Sequence, residues 1–441
     1  MKIGLIGSGG REHALAKGLT KFSNRDLLFV YGSHINPGIS LIAENLTTGS
    51  LTDLHAISEF FSHNEVDYVI VGPETPLMAG VVDHLRKINI PAVGPTQAQA
   101  QIESDKFYMR DLLERHASWG SPSWHLAKSR EQAKTFINQV GEIAVKPVGL
   151  TGGKGVRVMG VHMKTISETL DYVDEWISQE GKVLLEERLV GEEFSRMVFA
   201  SNNTIVPMPV AQDFKYAFEG DTGPMTGGMG SYTSADGSMP FIRPEDLDQA
   251  DKFIQETIQA LELETESTYQ GILYGQFMLT RNGIRLIEFN ARFGDPEAIN
   301  VMALIQGDPA NFFKQIADGN LTKQNNLFAP MASVCKYLVP EMYPEPHAAV
   351  SFTINENLIS DSGLNCIFAS VKSKGAQLET LGSRTMAIVG IGDNPEDLSD
   401  KIETLLMDIQ PKSLRHRKDI ADRVTIQQKI AHMDNLRKSG G

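Results

Sequence analysis

The sequence predicts a multidomain protein of mixed α/β and α+β class: an N-terminal domain on a parallel sheet, an α+β core and a small C-terminal domain. Three observations predict it. The 441 residues exceed what one hydrophobic core supports and imply about two to four domains. Strand and helix patterns alternate through about residue 100, as in a parallel sheet with helices on its faces. From Ser104 the pattern turns to hairpins and glycine-rich loops, and from about Ala332 a further short α/β stretch follows. The divisions fall at 1–103, 104–330 and 331–441.

The elements follow in order. MKIGLIGSGGREHALAKGLTKF reads as strand, glycine turn and helix. LLFVYG is a second strand, VDYVIVGPETPLMAG a third strand with a loop, VVDHLRKINI a helix and PAVGP a short strand. The loops SGGRE, GPETP and GPTQ then fall at the carboxyl ends of parallel strands, where such sheets bind ligands. DKFYMRDLLERH is helical, and EIAVKPV and VRVMGV are strands flanking GLTGGKG. VLLEERLVGEEFSRMVFA is two strands with a short link. QDFKYAFEGDTGPMTGGMGSY has no periodicity, and a loop of that length inside a compact domain is usually functional or disordered. ILYGQFMLTRNGIRLIEFN is a hairpin.

Composition narrows the function. The net charge of −14 and the lack of a basic run argue against nucleic acid. Two cysteines, Cys335 and Cys366, make neither a disulfide framework nor a zinc pattern. No segment approaches the ~20 apolar residues of a membrane span, and the N-terminal apolar run is too short for a signal peptide. A cytoplasmic enzyme is expected.

The first turn, GLIGSGGREHA, fails as a dinucleotide fingerprint, because Glu12 stands where the last glycine belongs. The second strand ends in Gly32 and Ser33, with no acid for a ribose. What survives is Gly7, Gly9 and Gly10, whose N–H groups at a helix start suit an anion; an ordinary tight turn reads the same way. GLTGGKG is not a Walker loop, since Gly155 follows Lys154 where a hydroxyl is needed. It suits a phosphate cover with Lys154 as its charge. Lys146, on an apolar strand, wants an anion if it points inward and water if it lies at an edge. Glu186, Glu187, Glu192 and Glu193 read either as a solvated acidic turn or as a nucleotide link with one carboxylate on the ribose.

The stretch LIEFNARFGDPE places Glu288 and Asn290 on one face of a strand. A two-residue turn at Asn282 and Gly283 would pair Phe277 with Glu288; a three-residue loop from Arg281 to Gly283 would pair Gln276 with Glu288. The second sorts Phe277, Leu279, Ile287 and Phe289 to one face and Gln276, Glu288 and Asn290 to the other, and register follows such sorting. Three oxygen ligands suit Mg²⁺. Arg292 would stand beside it and stabilise a transferring phosphoryl group. A Glu–Arg salt bridge capping the strand is the plainer alternative.

GSGGREHA, VGPETPLMAGVVD, SDKFYMRDLL, GGKGV, EERLVGEE, GDTGPMTGGMGSY and IEFNARFGDPE occur in this order. Together they resemble the glycinamide ribonucleotide synthetases (phosphoribosylamine–glycine ligases) of purine synthesis, members of the ATP-grasp superfamily. The resemblance runs to about residue 310 and continues more faintly in GSRTMAIVGIGDNPEDL and RHRKDI. It implies a pre-ATP-grasp domain over 1–103, an ATP-grasp core over 104–330 with a mobile subdomain at about 120–190, and a C-terminal domain over 331–441. It implies joining glycine to 5-phosphoribosylamine with ATP through an acyl phosphate, by a monomer or homodimer using Mg²⁺ or Mn²⁺.

By this resemblance Glu288 and Asn290 hold the metal, with Gln276 a third ligand. Lys106 and Lys146 bind ATP phosphates and Lys154 closes over them. Glu186, Glu187 and Leu189 form the adenine link, Glu187 and Leu189 through their main chain, and Glu193 takes the ribose. Arg292 steadies the phosphoryl group and Asp295 orients the amine or glycine. Gly9, Gly10, Arg11, Glu74, Asp213, Lys215, Asp221, Thr226, Gly227 and Gly228 line the substrates. Three positions depart from the usual family wording: Val148, where an acid is common, and Phe214 and Tyr216 in QDFKY, where QDHKR is common.

Overall fold

The computed structural model describes residues 1–22, 26–149, 155–324 and 326–439. The N-terminal sheet is parallel throughout, in the order Asn45–Thr48, Leu27–Gly32, Lys2–Ile6, Tyr68–Val71 and Ala92–Val93. Its central strands are continuous apolar runs because helices cover both faces. Helix Gln97–Ser104, opened by a Thr96–Gln99 capping box, and helix Lys106–His116, capped by Asp105, lead out of this domain.

Two antiparallel sheets follow. The smaller has the order Trp124–Ala127, Val183–Glu187, Ile143–Lys146 and Arg157–Val158, backed by helices Arg130–Val140 and Ile166–Glu180. It owns a separate apolar core, including Phe136, Val145, Val173 and Leu185. The second has the order Thr204–Pro207, Gly191–Ser201, Gly271–Thr280 and Gly283–Asn290. Helix Pro244–Thr265 packs under it through Phe253, whose ring stacks on Phe289.

The glycine-rich stretch, expected as an unstructured loop, holds a hairpin of Tyr216–Phe218 with Thr222–Met225, and then strand Gly230–Thr233. That strand pairs with Ala332–Pro340, which pairs in turn with Met386–Gly392. Besides the short strand Gln212–Asp213, its hydrogen-bonding partner thus lies about a hundred residues downstream, where local patterning cannot reveal it. The tail, expected to be separate, therefore shares a sheet with strands Gln212–Asp213 and Gly230–Thr233 of the core. Helix Arg423–Lys438 returns to pack along strand Gly191–Ser201, where Lys429 and His432 meet Glu192 at 3.1 and 2.6 Å. Both cysteines are buried and free. Among the described residues no helix is long and apolar enough to cross a membrane.

Candidate active site

The hairpin of Gly271–Thr280 and Gly283–Asn290 positions the centre of the site. Gln276 does stand opposite Glu288, but neither anticipated turn produces it. Thr280 pairs with Gly283 across the two residues Arg281 and Asn282, and Gly283 takes the left-handed backbone that glycine tolerates (φ +91°). Phe277 then pairs with Leu286, and Ile287 is inserted as a bulge before Glu288. Ile284, Leu286 and Phe289 are buried; Ile287, expected in the core, is only half-buried.

The bulge gathers cations. The guanidinium of Arg110 donates to the carbonyls of Leu286 (3.1 Å) and Ile287 (2.9 Å), and Lys146 Nζ donates to Ile287 O at 3.3 Å. Both cations also hold Glu186, through Arg110 Nε at 2.7 Å and Lys146 Nζ at 2.6 Å. All three side chains are buried. Burial pushes the Glu186 carboxyl up, and Arg110 and Lys146 more than reverse this, leaving it below its usual range. Lys146 is therefore not an edge lysine, and Glu186 is not on a solvated turn. Glu186 fixes Lys146, so its carboxylate is committed to protein rather than to a nucleotide. Lys106 Nζ donates to Gly149 O at 2.9 Å; its pKa is lowered chiefly by burial, against the attraction of Glu288.

A second network lies on the same sheet. Gln276 Nε2 donates to Glu193 (2.9 Å) and Asp213 (3.4 Å). Its oxygen accepts from Ser195 Oγ at 3.0 Å and from the Tyr274 hydroxyl. Glu297 accepts from Tyr274 at 2.6 Å and from Ser195 at 3.0 Å. Lys215 Nζ lies 3.2 Å from Glu193 and 3.8 Å from Asp213. Burial, and then Glu297 and Glu193 against the pull of Lys215, raise Asp213 to about 7. Burial alone would lower Lys215, but Asp213, Glu193, Glu288 and Glu297 raise it well above its usual value. Four carboxylates thus act on one lysine, two of them at 3.2 and 3.8 Å, which leaves an excess of negative charge here.

Among the described residues no group of three or more His, Cys, Asp or Glu is arranged to hold a metal. Glu288 and Asn290, expected as ligands, offer one carboxylate and one amide, a pair of the kind that suits Mg²⁺ completing its shell from phosphate and water. Gln276, expected as a third ligand, has both ends of its amide engaged and would have to rotate to present its oxygen.

Arg292 does not cap Glu288. It reaches the N-terminal side, to Glu103 at 2.8 Å and Glu74 at 3.5 Å, and Glu103 also accepts from Ala291 N at 2.8 Å. Arg11 Nε pairs with Glu12 at 2.6 Å, and its Nη1 donates to Phe293 O at 3.0 Å. Gly7 and Gly9 do not leave open N–H groups as expected. Gly7 N donates to Tyr31 O and Gly9 N to Glu12 Oε2 at 2.7 Å, so an internal carboxylate fills the anion position. A Cβ on Gly10 would overlap the Tyr337 hydroxyl. This explains the glycine without any ligand.

Other expectations fall unevenly. Glu187 N donates to Ser123 O at 2.9 Å and its carboxylate accepts from Ser123 N, so that part of its main chain is not free for adenine. Leu189 lies in the link between two strands. The Asp221 carboxylate is bound by Arg417 at 2.9 Å, and the Thr226 hydroxyl joins Lys215 O to Gly228 N within the loop. Lys154 lies outside the described residues. The departures have physical settings. Val148 is buried. The Phe214 ring lies 5.1 Å from the Arg417 guanidinium and 5.4 Å from Lys429, where a neutral aromatic is favoured over a cation. Tyr216 stacks on His162 at 6.3 Å. Sequence reading missed Arg110, Glu103, Tyr274, Glu297, Tyr337 and Arg384, because each acts on a partner far away in the chain.

Two antiparallel sheets that bring Lys146 and Glu288 to a common bulge, set after a parallel N-terminal domain, define an ATP-grasp ligase. Enzymes of this class use ATP and a divalent cation. The chain belongs to the phosphoribosylglycinamide synthetase family: the family's N domain matches residues 1–103, its ATP-grasp (A) domain 104–298 and its C domain 333–423. It is 40% identical to a phosphoribosylamine–glycine ligase of Pyrococcus furiosus over 99% of this chain and 98% of the relative. Among solved structures, phosphoribosylamine–glycine ligase of Thermotoga maritima matches with a TM-score of 0.78 and 23% identity, over 95% of this chain and 100% of the other. The biotin carboxylase domain of a Hydrogenobacter thermophilus 2-oxoglutarate carboxylase, solved with MgADP and bicarbonate, matches with a TM-score of 0.69 and 13% identity, over 99% and 95%.

Proposed function

We propose that the protein joins glycine to the amine of 5-phosphoribosylamine, converting ATP to ADP and phosphate. A glycine carboxylate oxygen attacks the γ-phosphorus, the bond to ADP breaks, and glycyl phosphate forms. The amine nitrogen then attacks the acyl carbon, phosphate leaves with its electron pair, and the nitrogen loses a proton. Activation turns a poor leaving group into a good one; the protein's part is positioning and charge neutralisation.

Lys106 and Lys146 neutralise the triphosphate, with Lys154 closing over it. Glu186 and Arg110 hold Lys146 at the bulge. Glu288 and Asn290 would hold Mg²⁺ or Mn²⁺, with Gln276 as a third ligand after rotation, and the ion would supply positive charge to the phosphates. Arg292, held by Glu103 and Glu74, faces the phosphoryl group from the N-terminal side. Asp295, Glu74, Arg11 and the loop bearing Asp213, Lys215 and Gly227 receive glycine and the amine. One polypeptide, or a pair of copies, would suffice, and the cytoplasm suits such a reaction.

The observation that carries this reading is the bulge, where the phosphate-seeking Lys146 and the metal-seeking Glu288 are brought together across two sheets. The test is a panel of acids and amines read by ADP release, with glycine and phosphoribosylamine expected to be preferred. Glu288→Ala should lose turnover by about a thousand-fold or more with the thermal transition retained. Substantial residual activity would contradict the metal assignment.

A further inference from the structure

Asp295 is held by two residues of the C-terminal domain. Its Oδ1 accepts from the Tyr337 hydroxyl at 2.7 Å, and its Oδ2 lies 3.2 Å from Arg384 Nη2. Arg384 Nη1 donates to three carbonyls, Gly227 at 2.9 Å, Gly228 at 3.0 Å and Asp295 itself at 2.8 Å. The guanidinium also lies over the Tyr337 ring, 4.5 Å from its centroid. Tyr337 in turn abuts Gly10 at the first turn of the N-terminal domain. A planar fork serves carbonyls of two segments and a carboxylate in fixed directions while its face stacks on a ring; a rotating, point-charge ammonium does not fix those directions. The neighbouring turn brings its backbone close to the Asp295 segment: Gly228 adopts φ +107°, which glycine takes without strain, and a Cβ there would overlap Pro296.

We propose that Arg384 is a positioning residue that fixes Asp295 and the Gly227–Gly228 turn as one rigid unit on the amine side of the site, with Tyr337 as its support. This rests on the reading of Asp295 and that turn as the place where amine and glycine are received. Nothing in the contacts of Arg384 touches the bulge, Lys146 or Glu288, so its effect falls on the receipt of glycine and the amine and leaves nucleotide binding alone. When the amine is poorly placed, glycyl phosphate is lost to water, which attacks the acyl carbon and releases glycine and phosphate. ATP is then spent without product.

The experiment uses the full-length enzyme with Arg384→Lys and Tyr337→Phe, the second removing one hydroxyl and keeping the ring. Three quantities are read: the KM for phosphoribosylamine, the ratio of ADP released to glycinamide product, and the Kd for MgADP. Arg384→Lys should lower kcat/KM for the amine by about 10- to 100-fold and raise the ADP-to-product ratio above that of the wild type, with the Kd for MgADP within about two-fold. Tyr337→Phe should shift in the same direction by less. An unchanged ratio and KM would overturn the proposal. A parallel loss of MgADP binding and turnover, with the ratio unmoved, would also overturn it, because that is loss of fold. A wild-type enzyme that does not join glycine to phosphoribosylamine would sink the reading beneath it; an active wild type with indistinguishable variants would sink this inference alone.

Discussion

Asp213 is a buried carboxyl crowded by other acids. Its carboxyl is raised to about 7, first by burial and then by Glu297 and Glu193. A carboxyl raised on folding contributes its stability below its unfolded pKa of ~4, and that stability is lost as pH climbs through about 7. Without metal, Asp213→Asn should therefore raise the Tm at pH 8, with the gain shrinking toward pH 4. Thermal scans with the metal chelated check this; equal gains at both pH values would mean that Asp213 is ionised throughout. Mg²⁺ with nucleotide should narrow the difference, since a nearby cation favours the carboxylate. The same residue shows what was legible in the sequence. That acids near QDFKY belong to a site was readable from their resemblance. That Glu193, Glu288 and Glu297 would crowd one lysine was not, because they sit on three separate segments whose convergence is tertiary.

The hairpin carries its information in the bulge at Ile287. Apolar sorting gave the correct partner for Glu288, since a buried Glu288 on the core face would be untenable. It gave the wrong partner for every residue nearer the turn, because alternation cannot distinguish a longer loop from a tight turn followed by a bulge. The two arrangements predict different energetics. With the bulge, Leu286→Ala should cost about 2–5 kcal/mol and Ile287→Ala under about 1.5 kcal/mol, by denaturant titration. Equal losses would return Ile287 to the core and remove the bulge. Four of the five strands of the parallel N-terminal sheet were readable as short apolar runs separated by helices; the edge strand Asn45–Thr48 was not, because its sequence NLTT is mostly polar and carries no buried run. Hairpin Tyr216–Phe218 with Thr222–Met225 was not readable, because Arg415 and Arg417 from the far end of the chain bind the carbonyls of Ala217 and Tyr216 and so hold it in place.

The molecule as a whole is sewn together through its first helix. His13 is buried, its Nδ1 accepting from Phe368 N at 2.8 Å, and its ring stacks on that of Phe368 at 5.9 Å. Burial, reinforced by Lys17, lowers its pKa to about 3. A histidine depressed on folding loses stability as pH falls below its unfolded value of ~6.5, because the unfolded chain takes up the proton first. Between pH 6.5 and 5 this amounts to about 2 kcal/mol, and His13→Gln should flatten that part of the acid profile of Tm. A variant with an unaltered profile would show that the N- and C-terminal domains are joined independently of this histidine. The sheet that strand Gly230–Thr233 shares with Ala332–Pro340 and Met386–Gly392 also dictates timing. On the ribosome, a nascent chain that has produced every residue of the Glu288 hairpin has only the two-residue strand Gln212–Asp213 to pair with that strand. The loop bearing that strand gains its long partner only after synthesis passes residue 340, so chains released early should expose a bare strand edge and be prey to chaperones and proteases.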